Sequence, residues 1–367
     1  MDVSGYIDGY FSVNFNNPSS GNNGQVNDYY NFNDKTNQFN LSAAKLTINH
    51  DPDPVGAHID FFYGRTNTII TSASTYAVSD TTESCNNNYC SGADNQLNYI
   101  EQAYLSVKPP KAKGFELDFG KFVTSAGAEV IESKDNWAYS RSLLFSYAIP
   151  YYHFGVRTSL PVSKTETIGV QLVNGWNNVT KDKGGVTAGL TSALVKPKYT
   201  WNVNYYVGPE NSNTTAGLRN LIDTTLLLTP GPRFSAYINY DYGQNRDGLI
   251  AQGVVSGKTY YTGDTLLNHW QGIAFAGHGA VGKSGSLTGR YEYFRDNNGF
   301  ETGTKQTLQE FTATYEYKML EGFLTRVEYR YDWSDQSTFH KGIAGTANVD
   351  NQSTLTVGFV AFFGPKR

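Results

Sequence analysis

Apolar and polar positions alternate along most of this chain in blocks of about ten residues, each ending in a turn, the period expected of β-strands with two unlike faces. Val3, Ile7, Phe11, Val13 and Phe15 share one parity, and Asp8, Tyr10, Ser12 and Asn14 share the other. Phe234, Ala236, Ile238, Tyr240 and Tyr242 alternate with Ser235, Tyr237, Asn239 and Asp241 in the same way. Phe323, Thr325, Val327, Tyr329, Tyr331 and Trp333 alternate with Arg326, Glu328, Arg330 and Asp332. One face is oily and aromatic, and the other is wet. Applied throughout, the pattern predicts strands over 3–15, 38–50, 55–66, 96–108, 113–122, 143–160, 165–174, 186–196, 199–208, 218–229, 233–243, 267–282, 286–296, 307–318, 322–333 and 351–363.

Connections between these strands alternate in size. Asp51-Pro52-Asp53-Pro54, Pro197-Lys198, Pro230-Gly231-Pro232, Lys283-Ser284-Gly285 and Leu320-Glu321-Gly322 are short, and the segments between them are long. Short turns at one end and long loops at the other, with an even strand count, describe an outer-membrane barrel. A sheet in hydrocarbon must also join its first strand to its last, because each unpaired backbone N–H or C=O facing lipid costs several kcal/mol. The expected architecture is therefore all-β, a single transmembrane antiparallel β-barrel domain over 1–367 with about sixteen strands, short periplasmic turns and long extracellular loops.

Composition supports this and removes alternatives. Charged residues make up 17% of the chain and aromatic residues 14%, an unusual balance for a surface that must dissolve in water. No stretch supplies the ~20 continuous apolar residues of a spanning helix. With 29 Lys and Arg against 33 Asp and Glu, the net charge of −4 excludes binding to nucleic acid through a broad basic surface. A propeller would repeat every ~40–50 residues with blade signatures, and none is present. Tyr151-Tyr152, Trp176, Trp201, Tyr205-Tyr206, Trp270 and Trp333 gather near strand ends, as interfacial girdles do. No charged n-region with an apolar h-region opens the chain, so the numbering reads as that of a mature protein.

A more specific signal lies between about 119 and 210. Phe119-Gly120-Lys121-Phe122, Gly127-Ala128-Glu129-Val130-Ile131, Ser140-Arg141-Ser142-Leu143-Leu144-Phe145, Pro150-Tyr151-Tyr152-His153-Phe154-Gly155-Val156-Arg157, Asn174-Gly175-Trp176-Asn177 and Tyr205-Tyr206-Val207-Gly208-Pro209-Glu210 resemble the OmpL-like beta-barrel porin-2 family of Gram-negative outer membranes. The likeness extends over nearly the whole barrel. It implies a barrel channel in the bacterial outer membrane and leaves the solute open. By analogy with other sixteen-stranded porins it also implies a homotrimer in contact with membrane lipid and lipopolysaccharide.

Sixteen strands enclose a bore wider than side chains can fill, so a loop is expected to narrow it. Residues 123–142 are the candidate. Ala126, Ala128, Val130, Ile131, Trp137 and Tyr139 could pack on the wall, and Glu129, Glu132 and Asp135 could face water. Strand parity points Lys45, Asp60, Glu116, Asp118, Arg157, Arg233, Asp241, Arg290, Glu292, Glu310, Glu316, Arg326, Glu328 and Arg330 inward. The expected constriction therefore combines Glu129, Glu132, Asp135 and Arg141 of the loop with Arg157, Arg290, Arg326 and Arg330 of the wall. Arginines facing carboxylates across the bore would set up a transverse field that orients polar solutes; the same groups paired with one another would simply keep the lumen wet. Glu101 falls on the lipid-facing parity, which requires either an interfacial position or a bulge.

Cys85 and Cys90 enclose four residues in the second long loop, and an oxidising compartment predicts a local disulfide. The six histidines, His50, His58, His153, His269, His278 and His340, lack metal-site spacing, and no nucleophile elbow or phosphate loop is present. His153 could in principle pair with a serine as in an outer-membrane lipase, but a hydrogen-bonded lumen or girdle residue is the expectation. The sequence thus predicts a passive porin for small hydrophilic solutes, needing no cofactor and doing no catalysis. The competing reading is a plugged structural or adhesive barrel whose Asn-rich external loops bind partners.

Overall fold

The computed structural model describes residues 1–19, 25–72, 98–180, 185–211, 215–246, 252–255, 258–261, 267–343 and 346–365. The Cys85–Cys90 expectation lies outside the described residues. Among the described residues, eighteen strands occur in chain order: β1 (Asp2–Asn14), β2 (Gln38–His50), β3 (Val55–Tyr63), β4 (Ile100–Val107), β5 (Glu116–Val123), β6 (Tyr152–Pro161), β7 (Glu166–Val173), β8 (Thr187–Lys196), β9 (Tyr199–Gly208), β10 (Arg219–Gly231), β11 (Phe234–Arg246), β12 (Gln252–Val255), β13 (Lys258–Tyr261), β14 (Leu267–Val281), β15 (Gly285–Asp296), β16 (Gln306–Leu320), β17 (Phe323–Ser334) and β18 (Asn351–Phe363). All but β12 and β13 form one closed antiparallel barrel of sixteen strands, each bonded to its chain neighbour. β12 and β13 pair with each other between β11 and β14, and among the described residues with no barrel strand.

Closure is made by β1 against β18, in continuous register from Gly5 opposite Phe363 to Asn14 opposite Thr354. No sheet edge is left along the lipid, which removes the cost of unpaired backbone groups there. The expected parity holds along these two strands. Ile7, Leu355 and Phe359 are exposed outward, while Asp8, Tyr10, Ser12, Thr354 and Thr356 are buried inside. Outward apolar residues recur around the circumference, including Leu105, Phe119, Leu172, Leu190, Ile222, Phe275, Leu287, Phe311 and Val327.

Four local departures from the sequence pattern have physical causes. The strand expected from 143 starts at Tyr152, because Leu144–Ala148 winds into a π-helical turn whose apolar side chains are buried inside the barrel. Residues 64–66 do not extend β3; Gly64 turns the chain with a φ of +118° and a short helix, α1 (Arg65–Ser72), follows. Arg233 sits exposed in the two-residue turn between β10 and β11 rather than inside. Glu101 is buried inside, not lipid-facing, because the register of β3 and β4 slips between Asp60, opposite Gln102, and Phe61, opposite Ile100. That bulge places Glu101 as the extra residue and reverses its side.

Candidate functional site: the segment between β5 and β6

The chain joining β5 to β6, residues 124–151, carries long runs of buried residues, with Ser133, Tyr139, Ser140, Leu143, Leu144 and Ala148 wholly so. Its backbone is bonded by side chains from the inward parity of several strands. On β17, Glu328 accepts the N–H groups of Tyr139 at 2.6 Å and Ser140 at 2.9 Å. On β15, Glu292 accepts those of Leu143 and Leu144, each at 3.0 Å. On β11, the Asn239 side chain accepts the N–H of Ala128 at 3.0 Å. Arg326 donates to the carbonyls of Ser133 and of Asn136 at 2.6 Å, and Arg330 donates to that of Arg141 at 2.8 Å. On β14, the Trp270 indole donates to the Ala148 carbonyl at 3.1 Å. A non-regular backbone has no ladder partners of its own, so these side chains meet the demand that buried N–H and C=O groups be paired.

Two glycines let the segment come this close. An added Cβ at Gly358 of β18 would lie 2.4 Å from the Tyr139 ring, and one at Gly272 of β14 would lie 2.7 Å from Leu144 Cδ1. The Tyr139 hydroxyl then donates to Asp8 of β1 at 2.7 Å, and the Ser133 hydroxyl donates to the same carboxylate at 2.6 Å.

The eight charged residues expected to form a constriction divide into three groups. Arg290, Arg326 and Arg330 are buried and engaged. Arg290 meets Glu129 at 2.6 Å, Glu310 at 2.8 Å and Glu292 at 3.2 Å. Arg326 meets Glu316 at 2.7 Å, and Arg330 meets Asp332 at 2.7 Å while lying 4.2 Å from the centre of the Tyr30 ring. Arg141, also buried, turns back to its own segment and donates to the carbonyls of Tyr139 at 2.7 Å and Ile131. Arg157 stands apart on β6, partly exposed, paired with Asp118 at 2.7 Å and stacked over Tyr104 and Phe122.

Glu132 and Asp135 form the third group. Glu132 contacts Lys45, which also meets Glu101 at 2.6 Å and Asp60 at 2.9 Å. Asp135 is exposed and pairs with Lys134 at 2.5 Å. Both line a cavity of about 910 Å³ that opens among Ser4, His58, Gln102 and Phe363, at the short-turn end. Asp135 also lines a second cavity of about 240 Å³, bounded by Trp137 of the segment and by Asn202, Thr225 and Tyr237 of the wall. Asp135 is thus shared by both spaces.

Asp8, Asp223 and Asp332 are buried inside as well. They follow the alternation of their strands and were legible. Glu101 was not, since its side depends on a bulge. His153 is buried, with Nδ1 2.9 Å from the Gly175 carbonyl, Nε2 3.4 Å from the Thr124 hydroxyl and its ring stacked on Tyr206, so it has the hydrogen-bonded role, with no serine partner among the described residues.

The family model described as "Putative beta-barrel porin-2, OmpL-like" matches residues 1–363. Among solved structures, the chain is similar to an anion-selective porin from Comamonas acidovorans, with a TM-score of 0.60 at 10% identity over 98% of each chain. It is similar to the trimer form of OmpT, an outer membrane protein of Vibrio cholerae, with a TM-score of 0.56 at 13% identity over 99% of this chain and 98% of that one. It is also similar to the outer membrane channel DcaP of Acinetobacter baumannii, with a TM-score of 0.56 at 11% identity over 99% of this chain and 96% of that one. No curated protein matches by sequence.

Proposed function

The chain belongs to the OmpL-like beta-barrel porin-2 family and is a porin of the bacterial outer membrane; from that premise we propose that it passes small hydrophilic solutes by diffusion through a bore narrowed by residues 124–151. The observation that carries this reading is the set of bonds from Glu292, Glu328, Arg326 and Arg330 to the backbone of that segment. A loop held at its peptide groups by inward side chains of β15 and β17 is tied to that wall and cannot swing out without leaving several charges unpaired. Breaking one such buried pair typically costs about 3–5 kcal/mol.

The roles of the expected residues then separate. Arg290, Arg326, Arg330, Arg141 and Glu129 anchor the segment, and the field across the bore comes from the groups left in contact with solvent-filled space, Glu132, Asp135 and Arg157. Solute moves past the uncharged inner face of β7–β9, from the long-loop end through the space beside Asn202 and Asp135 to the wide cavity at the short-turn end. The trimeric association named for the OmpT relative extends to this chain as a proposal, with lipid and lipopolysaccharide around the outer belt.

Planar-bilayer recording tests the reading. Discrete open steps from the purified, detergent-folded protein are expected. Membranes that stay sealed despite verified insertion would instead support the plugged barrel, whose external loops bind partners.

A further inference from the structure

At the long-loop end, a separate cavity of about 230 Å³ lies between the end of the β5–β6 segment and the starts of two outer loops. Six side chains define its chemistry: Asn31, Tyr147, Tyr151, Trp176, Arg219 and Glu301. Its floor is fixed. The Asn31 amide donates to the Tyr151 hydroxyl at 2.7 Å and to the Ser146 carbonyl at 3.1 Å, and Tyr151 donates to that same carbonyl at 2.7 Å.

An arginine and a carboxyl group flank the space without closing on each other. Arg219, the first residue of β10, is buried with its guanidinium 5.0 Å from the Trp176 ring centre and 5.1 Å from that of Phe300. Its Nε donates to Asn245 at 3.1 Å, and no salt bridge of Arg219 occurs among the described residues. Glu301, in the loop after β15, has its Oε1 shut off from solvent and without a hydrogen-bond partner. Burial pushes this carboxyl up to about 8 in spite of the nearby Arg219, with Asp296 adding to the rise. Ionising a carboxyl in this condition costs free energy that an arriving cation offsets. A guanidinium packed near two rings, with only its Nε bonded among the described residues, carries further N–H groups in the fork that suits a carboxylate.

We propose that this cavity binds small zwitterions, molecules with one carboxylate and one ammonium on an apolar or aromatic body, as the first stop on the solute path. Arg219 receives the carboxylate, Glu301 the ammonium, and Tyr147, Tyr151 and Trp176 the body. This deepens the porin reading and rests on it for the word path, though not for the binding itself.

The test compares L-phenylalanine with 3-phenylpropanoate and 2-phenylethylamine, each of which lacks one charged end. Added on the long-loop side of a conducting bilayer, phenylalanine is expected to interrupt the ion current at concentrations about tenfold lower than either analogue, the scale of one charged hydrogen bond. Arg219→Gln should abolish the preference over phenylethylamine, and Glu301→Gln the preference over phenylpropanoate. Equal block by all three compounds on the unmodified protein, or preferences that survive both substitutions, would overturn the proposal. Should the barrel not conduct, calorimetry of the same three compounds with the full chain in detergent gives the same ranking or refutes it, so failure of the channel reading and failure of the site are told apart.

Discussion

The inner faces of β7–β9 and of β15–β17 belong to one continuous sheet and differ in almost every respect. Toward the lumen, β7–β9 present Thr167, Gly169, Gln171, Thr187, Gly189, Thr191, Ala193, Thr200, Asn202 and Asn204, without one charge. Over the same depth β15–β17 present Arg290, Glu292, Glu310, Glu316, Arg326, Glu328, Arg330 and Asp332, nearly all of them solvent-excluded. Outside, both stretches carry the same kind of apolar residue, such as Leu172 and Leu190 on one side and Phe311 and Val327 on the other. The lipid therefore does not explain the difference. The charged wall is a mount for an irregular segment with many peptide groups to satisfy, and the small-residue wall bounds what that segment leaves open. On the proposed reading, charge density in this interior marks support rather than passage.

The contrast can be broken most severely by removing what the charged wall holds. Replacing residues 127–148 by a short Gly-Ser linker should raise single-channel conductance severalfold and leave Glu292 and Glu328 without their backbone partners. Smaller, but of the same sign, is the paired change Glu292→Gln and Glu328→Gln, which weakens four backbone hydrogen bonds; a noisier and larger current is expected. Arg290→Met should lower unfolding free energy by about 3–5 kcal/mol in urea titration, because Glu129, Glu292 and Glu310 lose their shared cation. Gly358→Val puts side-chain atoms where the Tyr139 ring lies and should cost about 1–3 kcal/mol. The mildest change, Asp135→Asn, should leave stability alone and move the reversal potential toward anions, whereas Arg326→Ala with Arg330→Ala should damage folding more than selectivity.

Much of this was legible in the sequence. Strand number, termini on one side, alternation of short and long connections, and the inward face of β17 all follow from a period of two, which a hydrocarbon exterior enforces at each position. Residues 123–142 were also marked, since their mixture of Ala, Val, Ile and aromatic residues does not suit a loop in water. What alternation could not reach was anything set by partners distant in sequence. Glu101 changes sides through a slip against β3. Leu143–Tyr147 reads as strand by composition, yet its backbone is claimed by Glu292, about 150 residues away. The arginines of β15 and β17 could be placed inside, but whether they faced solvent or protein depended on where the segment lay.

The most direct test places single cysteines on the two walls in a background with Cys85 and Cys90 replaced by Ser. Asn202→Cys lies beside the open space and Thr312→Cys lies buried on β16 beneath the segment. A charged thiol reagent added during bilayer recording should lower the conductance of the Asn202→Cys channel promptly and leave the Thr312→Cys channel unchanged. Prompt block at Thr312→Cys with none at Asn202→Cys would contradict the account, since solute would then be passing along the wall assigned to support.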